Sequence, residues 1–182
     1  KGYRQIDINL GCPFPMIAGK HKGAGMLLYP AQVAEVLAPI AEYPEIQFSL
    51  KMRLGWENAS ECMVLVELLN TLRLSRIALH ARTGKQQYKG HPDLEAFQGF
   101  YELCQHPLYY NGGIESLSDI RQILIRFPLL KGVFIGRGLL SSPLLAKEFK
   151  GNETFLPEQR MSIYFAFHEE LFSAYSLSLI HI

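Results

Sequence analysis

The chain has 182 residues, 48% of them hydrophobic and 19% charged, which is ordinary globular composition and excludes a low-complexity or disordered chain. Its formal net charge of +1 leaves no strong electrostatic footprint for nucleic acid, so an RNA partner would need a local basic cluster. The three cysteines, Cys12, Cys62 and Cys104, form neither a CxxC pair nor a His/Cys metal spacing, and no apolar run approaches the roughly 18–20 residues of a membrane span. With an odd cysteine count and no signal-peptide pattern, the expectation is a cytoplasmic protein with no membrane partner and no metal.

The first expected strand is Gln5–Asn9, and Asn9-Leu10-Gly11-Cys12-Pro13 follows it directly. A helical pattern through Val33, Val36, Leu37 and Ile40 leads to a second strand, Gln47–Leu54, in which Lys51 and Arg53 alternate with Leu50 and Met52. An apolar stretch at Met63, Val66, Leu68 and Leu69 precedes a third strand, Arg76–His80, where His80 and Arg82 repeat the alternation. Thr83-Gly84 opens a polar loop through Lys85, Gln86, Gln87, Tyr88 and Lys89. Leu94, Phe97, Tyr101 and Leu103 mark the next helix. Strand Leu108–Asn111 runs into Gly112-Gly113. Ser116, with Asp119 three residues on, reads as a capping box for a helix striped by Ile120, Ile123 and Leu124. Strand Gly132–Ile135 runs into Gly136-Arg137-Gly138, and Ser142-Pro143 reads as an N-cap with proline at the first helical position. After Gly151 the pattern changes, and Met161–Phe172 reads as the opening of another helix. Residues Leu177–Ile182 resemble one reading frame of a DNA-sequencing adaptor and are set aside as an artefact.

Strands alternating with helices imply a parallel sheet covered by helices. The strand starts are 24 to 42 residues apart, near 32 on average. A (β/α)₈ TIM barrel uses roughly 31 per unit, and a doubly wound sheet has similar spacing. Barrels often bind phosphate with the loops after strands seven and eight. Placing the two glycine-ended strands there makes this chain about strands four to eight of a partial barrel. Residues 1–150 are then the C-terminal part of a catalytic barrel, and 151–176 the start of a C-terminal helical domain. About three upstream units, roughly 95 residues on the same arithmetic, lie outside the chain.

Catalytic groups of a barrel come from the C-terminal ends of its strands, where Cys12, Lys51, His80 and Arg82 all fall. A thiol there can serve as general acid or nucleophile. A lysine inside a barrel mouth needs an anionic partner. Singly, each also has a plain reading: Cys12 as a small buried hydrophobe, Lys51 as a solvated residue, His80 as a structural one.

Together with Gly23-Ala24-Gly25-Met26-Leu27-Leu28, Lys51-Met52-Arg53-Leu54-Gly55-Trp56, His80-Ala81-Arg82-Thr83-Gly84 and Asn111-Gly112-Gly113-Ile114, the Asn-x-Gly-Cys-Pro run makes residues 3–150 resemble the tRNA-dihydrouridine synthases. The resemblance implies reduction of uridine to 5,6-dihydrouridine in tRNA, with FMN bound and NADPH or NADH as electron donor. It implies Cys12 as the proton donor, with Asn9 and Arg82 on the substrate. Lys51 and His80 then lie at the flavin, and Asn111, Gly112, Gly113, Gly136 and Arg137 at its phosphate. It further implies a full-length monomer; with at most five of eight barrel strands present, this stretch alone is expected to be inactive. Departures are Phe14-Pro15-Met16, where a lysine is common, Ala81 for proline or glycine, and Gly113 for aspartate. Two rivals stay open. One is a flavin barrel acting on a free pyrimidine; the other is a non-redox phosphate-binding barrel.

Overall fold

The computed structural model describes residues 2–175; Lys1 and the suspected artefact at Leu177–Ile182 lie outside the described residues. Five strands form one parallel sheet in sequential order: Gln5–Leu10 (β1), Gln47–Gly55 (β2), Leu74–Thr83 (β3), Leu108–Asn111 (β4) and Gly132–Phe134 (β5). The helices between them are Pro15–Ala18 (α1), Pro30–Leu37 (α2), Glu61–Thr71 (α3), Leu94–Leu103 (α4) and Leu117–Arg126 (α5). Arg137–Ser141 (α6), Leu145–Gly151 (α7) and Pro157–Tyr175 (α8) follow β5. This is the repeating strand–helix unit of a TIM barrel in partial form, with β1 and β5 as open edges.

Register divides the sheet into two unlike faces. Paired residues of neighbouring parallel strands point the same way, and successive residues point oppositely. One face aligns Leu50 with Ile77 and Leu108, and Met52 with Leu79, Tyr110 and Val133. The β2 and β3 members, Leu108 and Tyr110 are buried with Leu65, Val66, Leu69, Phe97, Phe100 and Ile120 of the helices. Phe97 meets Tyr110 and Phe127 edge-on, each at 5.0 Å between ring centres. Each such pair adds roughly 0.5–1.5 kcal/mol beyond its buried area. The opposite face aligns Asn9 with Lys51, and Arg53 with His80, Asn111 and Phe134. Polar groups are thus gathered on one face by strand pairing alone.

Several element boundaries differ from the sequence expectations. β3 runs three residues beyond His80 because Gly55 pairs with Thr83 past a register shift. The helix expected through Ile40 ends at Leu37, and Ile40 falls in a 3₁₀ turn at Ala38–Ala41. Pro39 lacks the N–H that an α-helix would need there. In α4 Phe100 is buried beside the expected Phe97, while Leu103, expected in the stripe, is about half exposed. The expected cap at Ser142-Pro143 is corrected. Ser142 N–H still bonds to Gly138 of α6, Leu145 N–H turns back to Ser142, and α7 begins at Leu145 with Leu144 as its cap. The capping box at Ser116 and Asp119 is present, with both reciprocal bonds made.

Asn152, in the left-handed region at φ 49°, ends α7. Beyond it α8 is anchored at its start, where Arg160 pairs with the buried Glu148 carboxylate and donates to Phe155 O at 3.2 Å. Further along, Phe165, Phe167 and Phe172 are exposed. No described helix is long and apolar enough to cross a membrane.

Candidate active site

A cavity of about 400 Å³ opens at the C-terminal ends of the strands. Asn9, Cys12, Lys51, His80 and Arg82 line it on the β1–β3 side. Asn111, Gly112, Gly113, Gly136 and Arg137 line it on the β4–β5 side. All ten site residues expected from the sequence therefore meet in one space, although they come from five separate strand ends.

The turn that carries Cys12 is held on three sides. Gly11 N–H donates to Asn9 Oδ1 at 2.9 Å, and Arg53 Nε donates to Gly11 O at 3.0 Å. Ala24 N–H donates to Cys12 O at 3.0 Å. Gly23 sits at φ 55°, and a Cβ on it would lie 2.8 Å from Cys12 O and 2.9 Å from Cys12 Cβ. Only glycine meets both the conformation and the close approach. The Gly23-Ala24-Gly25 run, quoted above for resemblance alone, is thus the backing of the Cys12 turn. Because Asn9 Oδ1 is occupied by Gly11, the Asn9 NH₂ is left to donate elsewhere.

Arg53 alternates with Lys51 along β2. It is fully buried and donates to three backbone carbonyls: Gly11 at 3.0 Å, Thr83 at 2.9 Å and Gln87 at 2.6 Å. It ties the Cys12 turn to the loop after β3. That loop places the Tyr88 ring between two guanidiniums, with Arg53 Cζ at 5.2 Å and Arg137 Cζ at 4.8 Å from its centre. Tyr88 and Glu115 also line the cavity and were not singled out from the sequence. The alternation in β2 was a usable signal for Arg53. Tyr88 carried none, since its place depends on how a polar loop folds back.

The lining carries four permanent or near-permanent cations, Lys51, Arg53, Arg82 and Arg137, against one carboxylate, Glu115. Burial and then the Arg53 charge push the Lys51 ammonium below its usual range. The His80 imidazole is pushed down to about 3, first by burial and then by Arg53, Lys51, Arg82 and Arg137. His80 is therefore neutral. Its Nε2 lies 3.2 Å from Arg82 Nη1, a pure donor, so Nε2 accepts and the ring proton sits on Nδ1. Such a cavity favours anions and neutral hydrogen-bonding rings.

The β4 and β5 ends are shaped for close backbone approach. Gly112 and Gly113 have φ of 133° and 61°. A Cβ on Gly136 would meet nothing within 4 Å, so open space faces it. A Cβ on Gly138 would lie 2.1 Å from Ile114 O, which fixes the two loops against each other. Asn111 Nδ2 donates to Phe134 O at 2.8 Å and links the same two strand ends. Among the described residues there is no group of three or more His, Cys, Asp or Glu side chains able to hold a metal ion.

The family model described as dihydrouridine synthase matches residues 1–174. The chain is 36% identical over 149 residues to a probable tRNA-dihydrouridine synthase of Aquifex aeolicus, covering 80% of this chain and 46% of that one. It is 32% identical over 139 residues to a probable tRNA-dihydrouridine synthase of Rhizobium leguminosarum, covering 76% and 44%. It is 28% identical over 165 residues to tRNA-dihydrouridine synthase B of Vibrio cholerae, covering 88% and 51%. The chain spans about half the length of the curated relatives it matches.

Proposed function

This chain belongs to the dihydrouridine synthase family, and we propose that the protein carrying it reduces uridine in tRNA to 5,6-dihydrouridine, using FMN and NADPH or NADH. The observation that carries the proposal is the convergence of a thiol, a half-buried lysine, a neutral histidine and two glycine-ended strands on one cavity. Residues 1–150 are the catalytic part, and the exposed α8 begins the helical part that meets the RNA.

The residues fit the cofactor. A cavity of about 400 Å³ lies within the roughly 300–1,000 Å³ usual for a cofactor site. Its surplus of cations matches a phosphate and a ring that becomes anionic on reduction. Arg137 and the backbone at Gly112, Gly113 and Gly136 would hold the phosphate, with Asn111 fixing those loops; Lys51 and His80 would lie against the ring. When bound, FMN would supply the hydride chemistry for C6 of uracil, with the nicotinamide as the electron source.

The chain's own groups orient the base and manage the proton. The uracil must leave its stack, at a cost of a few kcal/mol. The Asn9 NH₂ donates to a uracil carbonyl. The Cys12 thiol would give its proton to C5, matching the hydride equivalent at C6, so that the C5–C6 double bond becomes single and charge balances. The resulting thiolate regains a proton from solvent, and no covalent bond to Cys12 is needed. Lys51 stabilises negative charge on the ring side.

The test is to incubate the whole protein with unmodified tRNA and NADPH, digest the RNA, and measure nucleosides by mass spectrometry. Dihydrouridine, 2 Da heavier than uridine, is expected. Reduction of free uracil with tRNA untouched would instead favour the free-pyrimidine reading.

A further inference from the structure

We propose that Arg82 is a phosphate ligand of the cofactor site, gripping the dianion from the β3 side while Arg137 grips it from the β5 side. This rests on the reading above that the cavity holds FMN. The resemblance had set Arg82 beside Asn9 as a substrate group. Its neighbours in the fold lie at the other end of the cavity.

Arg82 is 4% exposed. Its Nη2 donates to Gly90 O at 2.9 Å, and its Nη1 meets His80 Nε2 at 3.2 Å. A Cβ on Gly113 would lie 3.9 Å from Nη2, so the guanidinium borders the Gly112–Gly113 loop. The charge that acts on it most is Arg137, followed by Glu115, both on the β4–β5 side. No described contact joins it to Asn9 or Cys12.

A guanidinium has five N–H donors. Two of Arg82's are used in these bonds, which leaves three without a protein acceptor. Nε is the one buried side-chain polar atom without a partner among the described residues. A buried orphan donor costs roughly 1–3 kcal/mol and persists where something else satisfies it. Among the described residues no ion pair joins the Arg82 cation to a carboxylate, and the charge that acts on it most is a second cation, Arg137. Two guanidiniums on one small space repel until an anion lies between them. Gly113, where a Cβ would crowd Pro92 Cγ at 3.0 Å, brings no side chain to neutralise Arg82. Nε and one Nη form the edge of the guanidinium fork that suits two oxygens of a phosphate.

FMN and riboflavin share the ring and differ by the phosphate, so their affinities separate this contact from every other. The experiment strips flavin from the intact protein and measures both affinities by fluorescence quenching, in wild type, Arg82→Gln and Arg82→Lys. Wild type is expected to prefer FMN strongly. Arg82→Gln is expected to weaken FMN about 10–100-fold and leave riboflavin within about twofold, which also shows that the variant is folded. Arg82→Lys is expected to recover part of the loss, since it restores the charge but not the fork. Equal weakening of both flavins, or no change in either, overturns the assignment while leaving the FMN reading intact. Failure of wild type to bind either flavin, or equal binding of both, overturns the FMN reading and this inference with it.

Discussion

Replacing Arg53 by methionine is expected to cost about 3–4 kcal/mol of folding stability. The shape is largely preserved, so little cavity forms. The loss comes from three carbonyl acceptors at 3.0, 2.9 and 2.6 Å that lose their donor. A buried unsatisfied group costs roughly 1–3 kcal/mol. The Gly11 bond is buried and bears that in full, whereas the Thr83 and Gln87 bonds are part-buried and their carbonyls recover some water. Removing one cation from a crowded set also gives back some repulsion, which keeps the total below the simple sum. Urea unfolding of the intact protein measures the change at constant m-value. A second readout is independent of stability. Arg53 is the largest charge acting on His80, so the imidazole, held down at about 3, should titrate higher in Arg53→Met and be visible by NMR. A loss under about 1 kcal/mol, or an unmoved His80, would refute the picture of Arg53 as a buried clamp.

Because His80 titrates near 6.5 when unfolded and about 3 when folded, the unfolded chain takes up a proton first as pH falls. Stability should therefore drop from about pH 6.5 toward pH 3, by about 2 kcal/mol at pH 5, and His80→Gln should remove that slope in denaturation curves at pH 5 and 7. Gly23→Ala is expected to displace Cys12, since its Cβ would lie 2.8 Å from Cys12 O at φ 55°; slower uridine reduction with unchanged flavin reduction checks this, and equal rates in both steps contradict it. Expressed alone, Lys1–Ser176 is expected to associate and to hold no tight FMN, because β1 and β5 present unpaired edges and Ile6 is 38% exposed; a monodisperse monomer with stoichiometric flavin by light scattering and absorbance would overturn that.

Strand existence was legible because each strand is a short apolar or alternating run between turn residues, and the glycine-ended strands marked the β4–β5 side of the cavity. The ten expected site residues fell together because residues at the ends of parallel strands share a mouth whatever the helices do. What the sequence hid depends on contacts distant along the chain. Tyr88 owes its place to Arg53 and Arg137, more than thirty residues before it and almost fifty after it. Arg82's turn toward Gly113 is set by Gly90 O and His80, which residue spacing does not specify. The boundary errors at Ile40 and Ser142 came from local rules overridden by a proline in one case and by the preceding helix in the other.

The most direct test of the account is Cys12→Ala in the intact protein, with the two half-reactions followed separately by stopped flow. Flavin reduction by the nicotinamide should keep its wild-type rate. Reoxidation by tRNA uridine should slow roughly 10²–10⁴-fold, the usual worth of a positioned acid. Equal slowing of both steps, or no slowing of the second, would contradict Cys12 as the proton donor.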